Sequence, residues 1–209
     1  MPTTRITASP YARVAWALAV GAAALPALVG GCLFQPREAE PPTTSTVQYL
    51  PATSPANVWH NAELSLEAKD PSGWDEFFSE HFHYLPDTDS VDAYPTVDWA
   101  NWNKDKEMSF VNSWYASDVT IVADLRDTDI NTEDPSGTTA EWQLIYYVRE
   151  IQNSNGSETR YRARATINFR LEANFWYIIG WEDEAQESDP DDSSILLPTM
   201  GRLRGAFGR

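Results

Sequence analysis

Cysteine and basic residues are the two scarce components of this chain. Cys32 is the single cysteine among 209 residues, which excludes an internal disulfide framework and any metal site built from several cysteines. Lys and Arg number 15 against 31 Asp and Glu, so the formal net charge is −16. A protein that binds nucleic acid needs a basic face to neutralise phosphates, and we therefore expect no nucleic-acid partner.

Hydrophobic residues are plentiful by comparison. They make up 42% of the chain and include nine Trp, nine Tyr and eight Phe. This content is too high for a wholly disordered chain, and the length suits one domain of ordinary size. We therefore expect one folded domain with an aromatic core, while the composition names neither a reaction nor a substrate.

The N-terminal segment has the layout of an export signal. No acidic residue precedes Glu38, and Arg5 and Arg13 stand before the uncharged, Ala/Leu/Val-rich run 14–29. A basic region followed by an apolar region is typical of a signal peptide. The run ends in Leu28-Val29-Gly30-Gly31-Cys32, which resembles the lipobox of bacterial lipoproteins.

This resemblance implies a lipid anchor. In lipoproteins of this kind the cysteine thiol accepts diacylglycerol and the signal is cleaved before the cysteine, which would here remove residues 1–31 and leave an acylated Cys32. Several acyl chains, palmitate among them, hold a protein firmly on a membrane. Leu33 follows the cysteine, and in enteric-type bacteria a residue other than Asp at this position favours the outer membrane over the inner one. The expected location is therefore the bacterial cell envelope.

Two other interpretations of the same segment stay open. Residues 14–34 carry no charge and are long enough to cross a bilayer core of about 30 Å as an uncleaved anchor helix. Pro26 and the Gly30-Gly31 pair weaken such a helix. An ordinary secretory signal, cut near Ala24 or Gly31, is the other alternative.

A change in composition separates the N-terminal segment from the rest of the chain. Residues 33–55 are rich in Pro, Thr and Ser, with Pro41-Pro42-Thr43-Thr44 as the densest stretch. Proline restricts the backbone and the polar side chains bury little, so this composition predicts an extended tether over 32–55. A single domain with a C-terminal tail is predicted over 56–209.

The first half of the predicted domain has helical periodicity. A first helix is expected from residue 56, with Ser54 or Asn57 as its cap, and a second short helix follows residue 73. A short strand is expected over Phe82–Leu85. A third helix is expected from Lys104 to Tyr115, capped by Asn101 or Asn103, while 86–98 is expected to be a loop. The apolar positions of the three helices are Val58, Trp59, Ala62 and Leu66, then Trp74, Phe77, Phe78 and Phe82, then Met108, Val111, Trp114 and Tyr115.

The second half of the domain has the period of two that is typical of strands. Apolar and polar residues alternate over Val119–Arg126, Glu141–Ile151 and Arg160–Leu171, and a further strand is expected from Phe175 to Glu182. The sequence Asn153–Ser157 is typical of a hairpin turn. Consecutive strands joined by hairpins predict an antiparallel meander.

Helices followed by a meander that ends in a Trp-rich strand resemble the nuclear transport factor 2-like superfamily, which includes SnoaL-type and ketosteroid-isomerase-like proteins. The residues that carry the resemblance are Trp102–Trp114 on the third helix and Phe175–Asp183 at the end of the meander. It implies an α+β fold whose N-terminal helices pack on a curved antiparallel sheet, forming a cone with a pocket at its open end. A cystatin-like or lipocalin-like arrangement of helices on a meander would give a similar order and stays an alternative.

The resemblance implies where a ligand would bind but assigns no chemistry. Members of the superfamily usually place a catalytic Asp, His or Tyr inside the cone, and no motif here carries such a role to a particular position. We therefore predict no catalytic residue and no cofactor. The residues expected to line the pocket are Trp142, Tyr146, Tyr147, Trp181 and Asp183.

The expected function is non-catalytic. A lipid-anchored envelope protein would use the cone-shaped domain to bind a small apolar ligand or a partner protein. A surface glycan-binding module is an alternative, because exposed Trp and Tyr stack on sugar faces. An isomerase- or dehydratase-like enzyme with an acid in the cone is another.

Two local patterns suggest a metal ion but are incomplete. His81 and His83 would share one face of a strand and supply two ligands, and a third is missing from the pattern. Asp127–Asn131 begins like a calcium loop, yet Thr132 stands where the sharp turn needs Gly and Thr138 where the bidentate Glu belongs. We expect no metal at either place.

Charged and apolar clusters near the end of the chain predict structural roles. A stripe of four Arg side chains on one strand is expected to pair across strands with acids such as Glu141 and Glu150. The acidic stretch 182–192 is expected to be a flexible loop, and residues 195–209 a tail that returns to the domain. The stripe consists of Arg160, Arg162, Arg164 and Arg170, and the tail would bury Leu196, Leu197, Leu203 and Phe207.

Overall fold

The structure is a computed structural model that describes the backbone of residues 47–133 and 137–208 and the side chains of residues 47–125 and 137–208. The predicted signal, Cys32 and the first part of the tether lie outside these residues, as do the side chains of the incomplete calcium loop. Within the described ranges, no helix has the length and apolarity needed to cross a bilayer.

The folded unit begins at Val47, before the predicted start of the domain. The backbone N–H of Leu50 donates to the side-chain oxygen of Asn61 at 2.9 Å, and the Asn61 amide donates back to the Leu50 carbonyl at 2.7 Å. The N–H of Trp176 donates to the carbonyl of Ala52 at 2.8 Å. These bonds hold the last residues of the predicted tether against the domain.

Five α-helices are present among the described residues: α1 Pro55–Ala68, α2 Pro71–Phe77, α3 Thr88–Ala93, α4 Lys104–Tyr115 and α5 Met200–Phe207. Each begins behind a side chain that accepts a hydrogen bond from a backbone N–H of the first turn, and such caps satisfy donors that have no partner within the helix. The caps are Ser54, Asp70, Asp87, Asn103 and Thr199. The bounds of α4 agree with the predicted helix, and α1 begins one residue earlier than predicted.

Two local predictions in the first half of the domain were wrong. The segment expected to be a loop contains α3, because Asp87 caps it and accepts hydrogen bonds from both the backbone N–H and the hydroxyl of Ser90. Phe78, expected on the second helix, begins a strand that continues to Leu85. The short strand expected over Phe82–Leu85 is confirmed as the second half of this strand. Both Phe rings are buried, and their centroids are 4.7 Å apart in an edge-on contact.

The described strands form one main sheet in the order β1-β5-β4-β3-β2. Strand β1 runs parallel to β5, and the other neighbours are antiparallel. A short sixth strand pairs with the end of β5. The bounds are β1 Phe78–Leu85, β2 Val119–Glu133, β3 Thr139–Gln152, β4 Glu158–Glu172, β5 Phe175–Ser188 and β6 Leu196–Leu197.

The sheet is curved, with the helices packed against it, as the sequence predicts. Register shifts interrupt the pairing of β2 with β3 and of β4 with β5, and such bulges bend a strand and increase its twist. The residues of β4 alternate as predicted: Tyr161, Ala163, Ala165, Ile167 and Phe169 are buried in the core. The α1 helix packs against β2 and β5, so the core lies between the helices and the sheet.

The acidic stretch after Glu182 is not a loop over its whole length. Strand β5 continues to Ser188, because acids on it and just beyond it meet the basic stripe of β4. Arg164 lies 3.2 Å from Glu187, and Arg160 lies 3.1 Å from Asp189. The predicted pairing across strands is therefore confirmed for Arg160 and Arg164, although these partners come from β5 and the segment after it rather than from β3. Arg170 instead pairs with Glu172 of its own strand, and Arg162 donates to the backbone carbonyl of Ser188.

Candidate functional site

The carboxylate of Asp183 is the centre of a polar cluster inside the cone. It lies on β5 and is only 2% exposed. One oxygen accepts hydrogen bonds from the Tyr84 hydroxyl at 2.6 Å and the Gly201 N–H at 3.1 Å. The other accepts from the Tyr146 hydroxyl at 3.0 Å and the Trp181 indole N–H at 2.9 Å. All four donors belong to the chain itself.

Burial sets the protonation of this cluster. Burial raises the pKa of Asp183 above its usual range, although Arg204 and the hydrogen bonds from the two tyrosines and Trp181 oppose the shift. Burial and the neighbouring Asp183 charge raise the pKa of Tyr84 and of Tyr146 well above that of an ordinary tyrosine. Both hydroxyls therefore remain neutral donors, and Asp183 is the member of the cluster with the chemistry of a general acid or base.

Helix α5 closes the cone over Asp183. Its first backbone N–H, that of Met200, donates to the Tyr146 hydroxyl oxygen at 2.7 Å. Its cap, Thr199, hydrogen-bonds to Asp87 and lies 3.2 Å from the Ser90 hydroxyl, which joins α5 to α3. Met200 itself is fully buried. The structure therefore leaves Asp183 no free face toward a substrate.

Arg204, on the inner side of α5, forms a buried ion pair with Glu107 of α4. Its Nε lies 2.9 Å from Oε2 of Glu107 and its Nη2 lies 2.8 Å from Oε1, which is a two-point contact. The indole N–H of Trp102 donates to the same Oε2 at 2.9 Å. Burial alone would lower the pKa of Arg204, but the charge and hydrogen bonds of Glu107 raise it overall. Arg204 therefore remains a cation.

Three of the five predicted pocket residues come together in the structure. Tyr146, Trp181 and Asp183 form the cluster described above. Trp142 is buried but lies against Phe169, with ring centroids 5.0 Å apart, and within the described part of the chain its indole N–H has no hydrogen-bond partner. Tyr147 is half-buried on the opposite face of β3, because successive residues of a strand point to opposite sides.

The site also contains residues that the sequence did not single out. Tyr84 lies far from Asp183 in the chain, as does Arg204 from Glu107, and no local pattern joins either pair. Only Glu107 could have been found from the sequence. It precedes Phe110 by three residues and Val111 by four, and this helical spacing places an acid on the buried face of α4. A charged residue on the apolar stripe of a helix predicts a buried partner.

The histidine pair does not form a metal centre within the described ranges. His81 and His83 are both exposed on β1. No group of three or more His, Cys, Asp or Glu side chains there lies close enough together to hold a metal ion.

A second concave site lies outside the cone as an open groove with a volume of about 720 Å³. Its walls are the segment 49–52, the junction of α2 with β1, and the turn between β4 and β5. Leu50 is 45% exposed and Phe175 is 48% exposed, so the groove presents apolar surface to solvent. We call this site the outer groove.

Carboxylates dominate the charge of the outer groove. The one basic side chain of its lining, Lys104, lies 3.2 Å from Asp75 and 3.0 Å from Glu80, so its charge is already engaged. Glu76 and Glu172 complete the acidic rim. The groove therefore has the chemistry to receive a cationic and partly apolar group.

The turn beside the outer groove has an unusual backbone. Ala173 and Asn174 join β4 to β5 with φ values of 49° and 74°. Two consecutive residues with positive φ are required in a tight hairpin turn of this kind, and Ala fits that conformation poorly because of its Cβ atom. Strain of this type is often found at functional sites.

Two solved structures with TM-scores just above 0.5 support the fold. A conserved protein from Planctomyces limnophilus matches with a TM-score of 0.51 and 12% identity over 62% of this chain and 91% of that chain. A putative aromatic ring hydroxylase from Novosphingobium aromaticivorans matches with a TM-score of 0.51 and 10% identity over 71% of this chain and 92% of that chain. An NTF2-like superfamily protein from Salmonella enterica matches with a TM-score of 0.45 and 10% identity over 66% of this chain and 99% of that chain. No family model and no curated protein matches the chain, and likeness at these identities shows the fold alone.

Proposed function

We propose that this chain is a lipid-anchored protein of the bacterial cell envelope whose closed, non-catalytic cone domain binds a partner protein through the outer groove. The observation that carries the proposal is the contrast between the two concave sites. The interior of the cone is occupied by the chain's own α5, whereas the outer groove is open to solvent and has both apolar and charged surface.

The hydrogen bonds that the chain itself donates to Asp183 support a non-catalytic role. A general acid or base must come within hydrogen-bonding distance of the substrate proton that it transfers. Both oxygens of Asp183 already accept two hydrogen bonds each, and Tyr84, Tyr146 and Trp181 are at most 1% exposed. The same packing argues against a small apolar ligand in the closed cone.

The chemistry of the outer groove supports a particular kind of partner. Four carboxylates line the groove; two of them hold Lys104, and Glu172 is paired with Arg170 from outside the lining. Even with Arg170 counted, the four acids outnumber the two bases, so a bound segment gains from basic side chains. The exposed Leu50 and Phe175 offer apolar contacts. We infer that the occupant is an extended segment of an envelope protein that carries both basic and apolar side chains.

The same surface argues against the glycan-binding alternative. Sugar binding by stacking uses several exposed aromatic rings, and Phe175 is the one aromatic side chain of this exposure in the described part of the chain.

The anchor is tested by labelling cells with a palmitate analogue. The Leu28–Cys32 motif and the lack of charge before it support acylation of Cys32. The wild-type chain should incorporate the label and fractionate with membranes, and the Cys32→Ala variant should do neither. Equal labelling of the two chains would exclude the lipid anchor.

The partner is tested by placing a photo-cross-linking amino acid at Phe175 in living cells. The matched control carries the same amino acid at Leu196, which is 63% exposed and lies outside the outer groove. We expect a defined protein adduct at Phe175 that disappears in a Glu76→Lys, Glu80→Lys background, and no such adduct at Leu196. Adducts at both positions, or at neither, would contradict binding in this groove.

A second candidate function is an isomerase- or dehydratase-like activity, which one observation favours. A buried carboxylate with a raised pKa beside two tyrosine hydroxyls is a typical acid–base arrangement. Such an activity requires α5 to leave the cone, since Gly201 occupies one oxygen of Asp183. Turnover that is abolished by Asp183→Asn, with the fold retained, would favour the enzyme over the binding protein.

A further inference from the structure

The side chain of Arg204 meets two kinds of surface inside the cone. One edge of its guanidinium faces the carboxylate of Glu107 in the two-point contact described above. Its Cζ lies 4.2 Å from the ring centroid of Tyr84, 4.7 Å from that of Trp181 and 5.4 Å from that of Phe110. A carboxylate fork and several aromatic faces are the two groups that recognise a guanidinium. We call these four residues the guanidinium cage.

Donors and acceptors are divided unequally between α5 and the cone. The polar groups that α5 contributes are donors: the N–H of Met200, the N–H of Gly201 and the guanidinium of Arg204. The groups that receive them from the cone are acceptors: the Tyr146 hydroxyl oxygen and the carboxylates of Asp183 and Glu107. The helix therefore occupies the cone as a cationic ligand would.

Arg204 is an imperfect occupant of the cage. Its Nη1 is buried and has no hydrogen-bond partner among the described residues, while Nε and Nη2 are both bonded to Glu107. A buried donor without a partner is unfavourable. A free ligand with the same head group is not fixed to the path of α5 and can settle with its third nitrogen toward an acceptor or a water molecule.

Helix α5 packs closely against its neighbours, and this packing depends on two glycines. A Cβ atom on Gly201 would lie 2.6 Å from the Ser90 hydroxyl oxygen and 2.7 Å from the Tyr84 hydroxyl oxygen. A Cβ atom on Gly205 would collide with the Tyr94 ring. None of the pairings among β1 to β5 runs through α5, so the helix can leave without breaking the main sheet.

We propose that the cone interior is a binding site for a guanidinium-bearing ligand, which Arg204 occupies in the closed state and which the ligand enters when α5 withdraws. The shared chemistry is the guanidinium group, carried either by a small molecule or by an arginine of a peptide. The site is separate from the outer groove, since the groove lining contains no member of the guanidinium cage. The inference therefore does not depend on the proposed function.

The first test removes the internal competitor. Arg204→Ala leaves the cage intact, so calorimetry on the full chain should show n-propylguanidinium binding at least tenfold more tightly than to the wild type. The neutral analogue n-propylurea should bind tenfold more weakly or not at all. Arg202→Ala, on the exposed side of the same helix, is the matched control and should behave like the wild type. A folded Arg204→Ala chain that binds both compounds equally would overturn the proposal.

The second test opens the cone without touching the cage, in case Arg204→Ala does not fold. Gly205→Ala, whose Cβ atom would collide with Tyr94 outside the cage, should displace α5 and raise the affinity for n-propylguanidinium above that of the wild type, and adding Glu107→Gln should abolish the gain. Hydrogen exchange of the wild-type α5 amides should accelerate in saturating n-propylguanidinium. A folded Gly205→Ala chain that binds no better than the wild type would show that α5 does not compete, and would refute the inference.

The source of the guanidinium is distinguished with peptides. An end-blocked glycyl-arginyl-glycine peptide is compared with the same peptide carrying citrulline, whose side chain has the same shape without the charge. Binding of the arginine peptide together with n-propylguanidinium indicates a peptide ligand, and binding of n-propylguanidinium alone indicates a small molecule. If neither compound binds Gly205→Ala or Arg204→Ala, the site does not recognise guanidinium.

Discussion

Arg204 and Glu107 lie 97 residues apart in the chain and form a two-point ion pair in which both side chains are completely buried. Burying two charges is unfavourable unless each finds a well-placed partner. Here the pair joins α5 to α4 and is extended by the indole N–H of Trp102. The closed cone therefore depends on a contact between two distant parts of the sequence.

Removing one member of this pair should be more damaging than removing both. Glu107→Ala leaves a buried cation without a partner and should lower the free energy of unfolding by about 3–5 kcal/mol, measured by urea denaturation. The double variant Glu107→Leu, Arg204→Met replaces both charges with apolar side chains and should lose less than the single variant. Lys106→Ala, which breaks an exposed ion pair at the start of the same helix, should cause little loss. A double variant as unstable as Glu107→Ala would contradict this account.

Asp183→Asn should destabilise the domain although it removes a buried charge. The carboxylate accepts four hydrogen bonds, and the amide nitrogen of Asn cannot accept the two that fall on its side. Leaving buried donors unpaired should lower the free energy of unfolding by about 1–3 kcal/mol at neutral pH. A stability equal to that of the wild type in chemical denaturation would exclude this role for Asp183.

The stability of the wild type relative to Asp183→Asn should depend on pH. Because burial raises the pKa of Asp183, the folded chain takes up a proton at a higher pH than the unfolded chain does. The stability from this protonation is fully present below the unfolded pKa of about 4 and is lost as the pH rises through the raised folded pKa. The gap between the two chains should therefore widen as the pH falls from 7 towards 4. Urea midpoints that keep a constant gap over this range would contradict the raised pKa.

Deleting residues 195–209 should destabilise the domain strongly. The deletion exposes the cone and removes Leu197, Met200 and Leu203, which are at most 7% exposed, whereas Leu196 turned out to be exposed and contributes little. Each buried side chain of this size contributes about 1.5–3 kcal/mol, so the melting temperature should fall by many degrees. An unchanged melting temperature would contradict the packing of α5.

Ala173→Asn should stabilise the domain slightly. Asn adopts positive φ more readily than Ala, and Ala173 has a φ of 49°. The expected gain is up to about 1 kcal/mol, measured by thermal and urea unfolding. The matched control is Ala185→Asn at an exposed position of β5, where the backbone is extended and Asn should weaken the strand. A loss of stability in Ala173→Asn would show that the turn is not strained.

The meander and the longer helices were predictable because their signals are local. Alternation over Arg160–Leu171 reflects the geometry of a strand, and the Asn103 cap with the apolar stripe behind it sets the start of α4. Helices α3 and α5 have six and eight residues, which is too short for a repeating apolar pattern to be recognised in the sequence. They are held by contacts such as the bond of Thr199 to Asp87, which joins residues 112 positions apart.

The site was predictable only in part for the same reason. Tyr146 follows from the alternation of β3, once the resemblance implies a cone. Trp181 and Asp183 do not follow from the alternation of β5, because a register shift changes the buried phase of that strand between Ile178 and Trp181. Local pattern does not decide between Tyr146 and Tyr147, because either phase of the strand presents a tyrosine. The continuation of β5 through the acidic stretch depends on Arg164 and Glu187 meeting across two strands, which composition does not show.

The glycines of α5 also make the closed state adjustable by side-chain volume alone. Gly201 and Gly205 of α5 and Gly208, the residue that follows it, recur every three or four residues and approach Tyr84, Tyr94 and Trp102 too closely for a side chain to fit between. A series from Gly to Ala to Ser to Val at residue 205 would lift the helix by graded amounts without altering any charge. The packing at these three positions therefore requires a helix that has no side chains along that face. A bulkier segment, from this chain or another, would not fit there.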